Sequence, residues 1–250
     1  MNIQNVASLA ETLQSFGFAS DLEYRLLQNI CFRRPDFIIK ERMLKGADIM
    51  NYSLSFKSSD NEGDYECIYY DATLRKEIII TSVVINSINT KELEKLMQEI
   101  DWSADFDQHI EKQFLIESKD SWAREEKIDK VVAQLHSLAS IEEGANIADC
   151  LKFKFWCDTP IHEMINNLNV LKSRFEISQR FYLFNNSCIS ADEAYRFLNN
   201  RWMEKTLQTK KKQAEDKEGE DGSSAAARGI TGKNFLQKKS GNKGRKLKIQ

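Results

Sequence analysis

Met50, Tyr52, Leu54 and Phe56 alternate with Asn51, Ser53, Ser55 and Lys57. A two-residue period sends the four apolar side chains to one face of an extended strand and the polar ones to the other. Such a strand belongs in an antiparallel sheet with one face buried and one wet. Residues 37–44 have strand character before it, and 64–72 and 77–85 after it. The connections, 58–63 with Gly63 and 73–76, are short enough for hairpins. The expectation is a four-stranded antiparallel meander. Its last segment, EIIITSVVI, is apolar on both faces and needs a cover. The helix predicted over 90–100 is one candidate. Asn89 and Glu92 have capping-box spacing there, and Leu93, Leu96, Met97 and Ile100 form its stripe.

Helices flank the sheet on both sides of the sequence. Val6, Leu9, Leu13 and Phe16 are spaced for one helix, which Gly17 stops. Ser20 and Glu23 form a capping-box signature for a second, with Leu22, Leu26, Leu27 and Ile30 on its apolar face and Pro35 beyond it. After Asp101 the pattern turns helical: Trp122, Ile128, Val131, Val132, Leu135 and Leu138 mark a long amphipathic helix. Further helices are predicted at 141–155, 160–168, 171–184 and 191–208, the last capped by Ser190 and Glu193. The expected fold class is α+β: N-terminal helices with a small four-stranded antiparallel sheet, then an all-helical C-terminal half and a disordered basic tail. The expected organisation is a sheet domain over 1–105, a helical domain over 118–208 and the tail over 209–250. Two Pro and ten Gly argue against a loop-rich all-β fold. No secretory signal or membrane-spanning run is visible, and the five cysteines read as reduced thiols, so a cytoplasmic protein is expected.

Charge is segregated along the chain. Residues 206–250 hold 12 Lys and Arg against 5 Asp and Glu, whereas 1–205 hold 24 against 33. From Arg228 to Gln250 there are six Lys, two Arg and no acid. An acidic body with a basic tether favours a polyanionic partner, most simply nucleic acid. Lys238, Lys239, Lys243, Arg245, Lys246 and Lys248, interleaved with Gly and Ser, suit phosphate contacts without sequence reading. A solubilising tail, or one folded back on the acidic body, is the alternative.

Residues 141–184 are predicted to form three helices with tight connections. Ile147, Leu151 and Phe155 lie on the first. Asp158-Thr159-Pro160 starts the second, which carries Glu163, Met164, Ile165 and Leu168. Asn169 stands at the turn as a residue tolerant of left-handed backbone. Lys172, Arg174, Phe175, Ile177, Arg180 and Phe181 lie on the third. Phe155-Trp156, Pro160, Glu163-Met164, Leu168-Asn169-Val170 and Phe175 resemble the helix-turn-helix in the promoter-reading C-terminal domain of bacterial sigma factors. Ile165 departs from the usual Ala and Asn169 from the usual Gly. The resemblance implies that the third helix enters a DNA major groove, with Lys172, Arg174 and Arg180 as contacts. A plain helical core would use the same pattern. Stretches such as NIQNVASLAETLQSFGF, NTKELEKLMQEIDW and SADEAYRFLNNRW resemble uncharacterised bacterial proteins associated with mobile genetic elements, which implies a DNA-related setting and no particular activity.

Catalytic patterns are sparse. Asp107, Glu117 and Lys119 match the Asp and Glu-x-Lys of metal-dependent nucleases, in which the carboxylates hold Mg²⁺ and the Lys stabilises water or phosphate. Such sites need the Glu-x-Lys on a strand, and here it abuts a helix. His109 with Asp105 and Asp107 would share one face of a strand and could hold a divalent metal, or lie in a solvated loop. Cys150, Cys157 and His162 lack the paired spacing of structural zinc. No phosphate-binding glycine loop or nucleophile elbow is present. No cofactor is expected. The expected function is a non-enzymatic DNA-binding or DNA-associated accessory protein. A protein-interaction scaffold and a metal-dependent nuclease are the alternatives.

Overall fold

Ten residues, Asp36–Lys45, form β1 and eleven, Asp48–Ser58, form β2, with Gly46 at φ +66° in the turn between them. Gly46 supplies the left-handed backbone that a two-residue hairpin connection requires. β3 (Tyr65–Arg75) follows after Gly63, also at positive φ. The computed structural model describes residues 2–19, 21–32, 34–59, 63–103, 119–183 and 188–225. The chain is α+β, and its main sheet has four antiparallel strands. The fourth is not residues 77–85. A strand at Glu176–Tyr182 pairs with β3, Arg75 opposite Glu176 and Tyr69 opposite Tyr182.

Two expectations fail here for related reasons. In 77–85, Ile78 and Ile80 are buried while Ile79 is 77% exposed and Val84 69% exposed, so only one face is covered. The covering surface is helical, and only Val84–Ile85 (β4) pairs, with Ile88–Asn89 (β5). The predicted third helix of the 141–184 segment stops at Phe175. Beyond it Ile177 and Phe181 turn inward and Ser178, Arg180 and Tyr182 outward, the two-residue period of a strand, which we number β6. The C-terminal half is therefore not all helical.

The inner face of the sheet packs on α1 (Ile3–Ser15), α2 (Leu22–Cys31) and, through Ala191, Ala194, Leu198 and Trp202, the first turns of a long C-terminal helix, Ala191–Ala225. Asn2 caps α1, its side chain accepting from the backbone N–H groups of Gln4 and Asn5. At α2, Ser20 lies outside the described residues and Asp21 stands at the cap without a side-chain bond. Leu13, Leu22, Leu26, Met50, Leu54 and Leu74 are wholly buried, each burial worth about 1.5–3 kcal/mol. Phe18 sits edge-on between Tyr52 and Tyr70, both rings 5.3 Å away. The Tyr52 and Tyr70 hydroxyls donate to the carbonyls of Ala191 and Ile189, which fastens the start of the long helix to the sheet.

A second core is interposed between β3 and β6. It joins Ile78, Ile80 and Ile88 to α3 (Thr90–Gln98), α4 (Lys119–Ala139), α5 (Glu142–Trp156) and α6 (Leu168–Phe175). Trp102 and Val131 lie in the same core, so the composition boundary drawn between 105 and 118 falls inside its span. Asn89 caps α3, accepting from Lys91 and Glu92 as its capping-box spacing predicts. Pro160 opens a 3₁₀ turn, Pro160–Met164, rather than an α-helix. The left-handed residue before α6 is Asn167 (φ +56°), while Asn169 is helical. The C-terminal helix, α7, begins with the predicted box: Ser190 Oγ accepts from the Glu193 N–H, and the Glu193 carboxylate accepts from the Ser190 N–H. It continues to Ala225, past the expected end at 208. By its contacts the chain divides into Met1–Trp202 and Met203–Gln250.

Candidate nucleic-acid interface

The outer face of the sheet is laid out by strand register. One row across it reads Ile38, Ser55, Tyr69, Tyr182, and the next Lys40, Ser53, Asp71, Arg180. The third reads Arg42, Asn51, Thr73, Ser178, and the fourth Leu44, Ile49, Arg75, Glu176. Ile38, Lys40, Arg42, Lys57, Ser178, Arg180 and Tyr182 are exposed, and the positions between them are half-buried. Among the described residues the face is covered only at the fourth row, where Arg75 is buried under the turn at 157–158. The middle of the face is lined by small polar side chains (Ser53, Ser55, Asn51, Thr73). Lys40 and Arg42 of β1 lie on one side of them and Tyr69 and Tyr182 of β3 and β6 on the other.

Tyr69 reaches this face because of a bulge. Ser55 pairs with Tyr69 but Phe56 pairs with Cys67, which leaves Ile68 as the extra residue. Without it the period of two from Cys67 would turn Tyr69 into the core and Tyr70 out. With it Tyr70 is buried and Tyr69 stands beside Tyr182, ring centroids 5.9 Å apart and nearly edge-on. The Arg180 guanidinium lies 3.8 Å above the Tyr69 ring. Asp71 holds it there by two bonds of 2.8 Å, Nε to Oδ1 and Nη2 to Oδ2. The pairing drives the Arg180 pKa up from an already high value, so the group is cationic at any working pH.

The three bases predicted on a recognition helix are separated by the fold. Lys172 and Arg174 lie on α6, and Arg180 lies on β6 across the outer face. Arg174 Nη1 donates to Asn146 Oδ1 at 3.1 Å and its guanidinium sits 5.0 Å from the Phe175 ring centroid. No helix therefore presents Lys172, Arg174 and Arg180 together to a groove. Lys238, Lys239, Lys243, Arg245, Lys246 and Lys248 lie outside the described residues, as do Asp107, Glu117 and His109; Lys119 is the first residue of α4. Cys150 is buried with its Sγ 3.9 Å from Asn146 Oδ1. Burial pushes the Cys157 thiol up to about 11 although Arg75 lies beside it. Among the described residues no three His, Cys, Asp or Glu side chains gather where they could hold a metal, and no helix is long and apolar enough to cross a membrane.

Tyr69, Tyr182, Lys40 and Arg42 were not singled out by sequence. Their only signal was position on the wet side of alternating segments. No protein-family model, curated protein or solved structure matches the chain.

Proposed function

We propose that this chain is a non-enzymatic nucleic-acid-binding protein, with the outer face of the sheet as its shaped contact and the basic C-terminal segment as its electrostatic tether. One observation carries this reading: residues 228–250 hold eight Lys and Arg and no acid, while 1–205 hold 24 bases against 33 acids. On the outer sheet face Lys40 and Arg42 are exposed, whereas Lys57 is flanked by Asp36 and Glu66 and Arg180 is paired with Asp71. Eight cations without an acid in residues 228–250 favour a phosphate backbone over a neutral partner.

Fluorescence anisotropy with labelled DNA tests it. The full chain is titrated at several salt concentrations beside a tail variant, with Lys238, Lys239, Lys243, Arg245, Lys246 and Lys248 changed to Gln, and a face variant, Lys40→Gln/Arg42→Gln. On duplex DNA, eight engaged tail cations would give a slope of about −7 in log K against log salt, and losing six would flatten it by about 5. The face variant weakens binding without removing the tail's salt dependence. Binding that is absent at low salt, or indifferent to both variants, refutes the proposal. A protein-docking role is the second reading, favoured by the exposed Ile38 and Leu44 on edge strand β1.

A further inference from the structure

We infer that the outer sheet face takes a single-stranded nucleic acid, with bases stacked on Tyr182 and on the Tyr69–Arg180 pair and the sugar–phosphate backbone lying toward Lys40 and Arg42. This rests on the nucleic-acid reading above and specifies which form of the polymer the face accepts.

Spacing supports a single strand over a duplex. Successive outward positions along β3 and β6 are about 7 Å apart. That is twice the rise of about 3.4 Å per base along one strand of duplex DNA. Side chains so spaced meet bases that have been unstacked and splayed, and a duplex keeps its base faces against one another. Tyr182 is 51% exposed, which leaves surface that a base can meet. The Arg180 guanidinium, 3.8 Å over the Tyr69 ring, offers a second stacking surface one row away. Nucleobases stack on Arg planes as they do on aromatic rings.

Charge sets the direction. Asp71 is bound to Arg180 in two places, so that corner carries little net charge and Asp71 repels phosphate. Lys40 lies in the same row three strands away, about 14 Å across the sheet, with Arg42 in the adjacent row. Between them Ser53, Ser55, Asn51 and Thr73 leave a floor low enough for sugars and supply hydrogen-bonding groups without aromatic bulk. Bases toward β6 and phosphates toward β1 is the arrangement that satisfies both sides.

The test uses the full chain and three fluorescein-labelled probes of one mixed sequence: a 12-nucleotide single-stranded DNA, the matching RNA and the matching duplex. Each substitution, Tyr69→Leu and Tyr182→Leu, is expected to weaken single-strand binding about 5- to 150-fold, the range for loss of one stacked base. Duplex binding through the tail stays within twofold. Tyr69→Phe and Tyr182→Phe keep the ring and retain single-strand affinity. Ultraviolet crosslinking of a 5-iodouracil single strand to the unaltered protein places adducts on Tyr69 or Tyr182, a readout independent of how the Leu variants fold. Silence with every probe overturns this inference and the nucleic-acid reading together. Duplex bound as well as single strand, with inert Leu variants and adducts confined to other residues, overturns the inference alone.

Discussion

Arg75 at the end of β3 and Asp158 in the turn after α5 form a two-pronged ion pair, Nη1 to Oδ2 at 2.6 Å and Nη2 to Oδ1 at 2.8 Å. The same guanidinium donates to Glu176 at 2.7 Å and lies 5.2 Å from the Phe153 ring centroid. Arg75 thus belongs to the sheet by backbone and to the helical core by side chain, with only 5% of the side chain exposed. Burial alone would raise the Asp158 carboxyl; the Arg75 bonds and charge, with Arg42 and Lys172, outweigh it and hold it below the usual aspartate value.

Asp158→Ala leaves a buried guanidinium with half its partners. Breaking a buried pair costs about 3–5 kcal/mol, and Glu176 as remaining partner places this substitution at the low end, about 3 kcal/mol. Urea unfolding followed by far-ultraviolet dichroism checks it. A midpoint that does not fall means the pair does not couple the two cores.

Glu41 predicts a pH dependence of the opposite sense. Its carboxyl is buried in the first core and accepts the Ala19 N–H at 3.0 Å, while Oε2 has no hydrogen-bond partner. Burial raises its pKa above the ordinary 4.5; the Ala19 bond and Arg25 offset part of this. Above pH 4.5 the unfolded chain releases this proton while the folded protein keeps it, so Glu41 lowers stability as pH rises through that window. Asp158 and Glu94, both depressed, contribute stability that is lost as pH falls through their window instead. Glu41→Gln should remove the decline above pH 4.5 and leave the acid-side loss intact. Thermal midpoints from pH 3 to 8 for both proteins decide this; identical profiles refute it.

Two capping signals hold in the structure, the start at Pro160 and the turn at Asn169 do not, and the larger failures came from distant pairing. The boxes at Asn89/Glu92 and Ser190/Glu193 hold because both partners lie within one helical turn. Strands β1 to β3 are adjacent in sequence, and their alternation shows which face is buried. β6 is invisible to such reasoning, because Ser178 meets Thr73 across 105 residues and a seven-residue alternation following a helix imitates more helix. Arg180 was picked for its charge and assigned to the wrong element for that reason. Tyr69 was hidden by the bulge at Ile68, since only pairing with β2 decides which of the two adjacent tyrosines faces outward.

Two glycines should respond differently to alanine. At Gly144 an added Cβ would lie 2.2 Å from the Leu138 carbonyl oxygen and 2.9 Å from Leu138 Cδ1, where α4 and α5 meet. That overlap involves backbone, so Gly144→Ala forces the helices apart and costs about 3 kcal/mol, the upper part of the overpacking range. Gly46 has φ +66° and nothing within 4 Å of the new atom. Gly46→Ala pays only left-handed backbone strain, about 1–2 kcal/mol. Denaturant titration of both should rank them in that order; equal losses would mean that helix contact at Gly144 yields freely.

The β4–β5 turn offers a pair of substitutions with opposite signs. Asn86 and Ser87 have φ of +50° and +62° between the paired Ile85 and Ile88, the geometry of a type I′ hairpin. Asn tolerates this backbone and Ser does so poorly, so Ser87→Gly relieves strain of about 1 kcal/mol, part of which the greater freedom of the unfolded chain offsets. Asn86 also donates from Nδ2 to Ser137 Oγ at 2.7 Å, fixing the hairpin to α4. Asn86→Gly relieves little strain and removes that bond, for a net loss of about 1 kcal/mol. In a chain of this size 1 kcal/mol moves the thermal midpoint by about 2–4 °C. Calorimetry should therefore find Ser87→Gly at or above the parent and Asn86→Gly below it. The reverse order would mean that neither strain at Ser87 nor the Asn86 contact with α4 governs how firmly the hairpin is held.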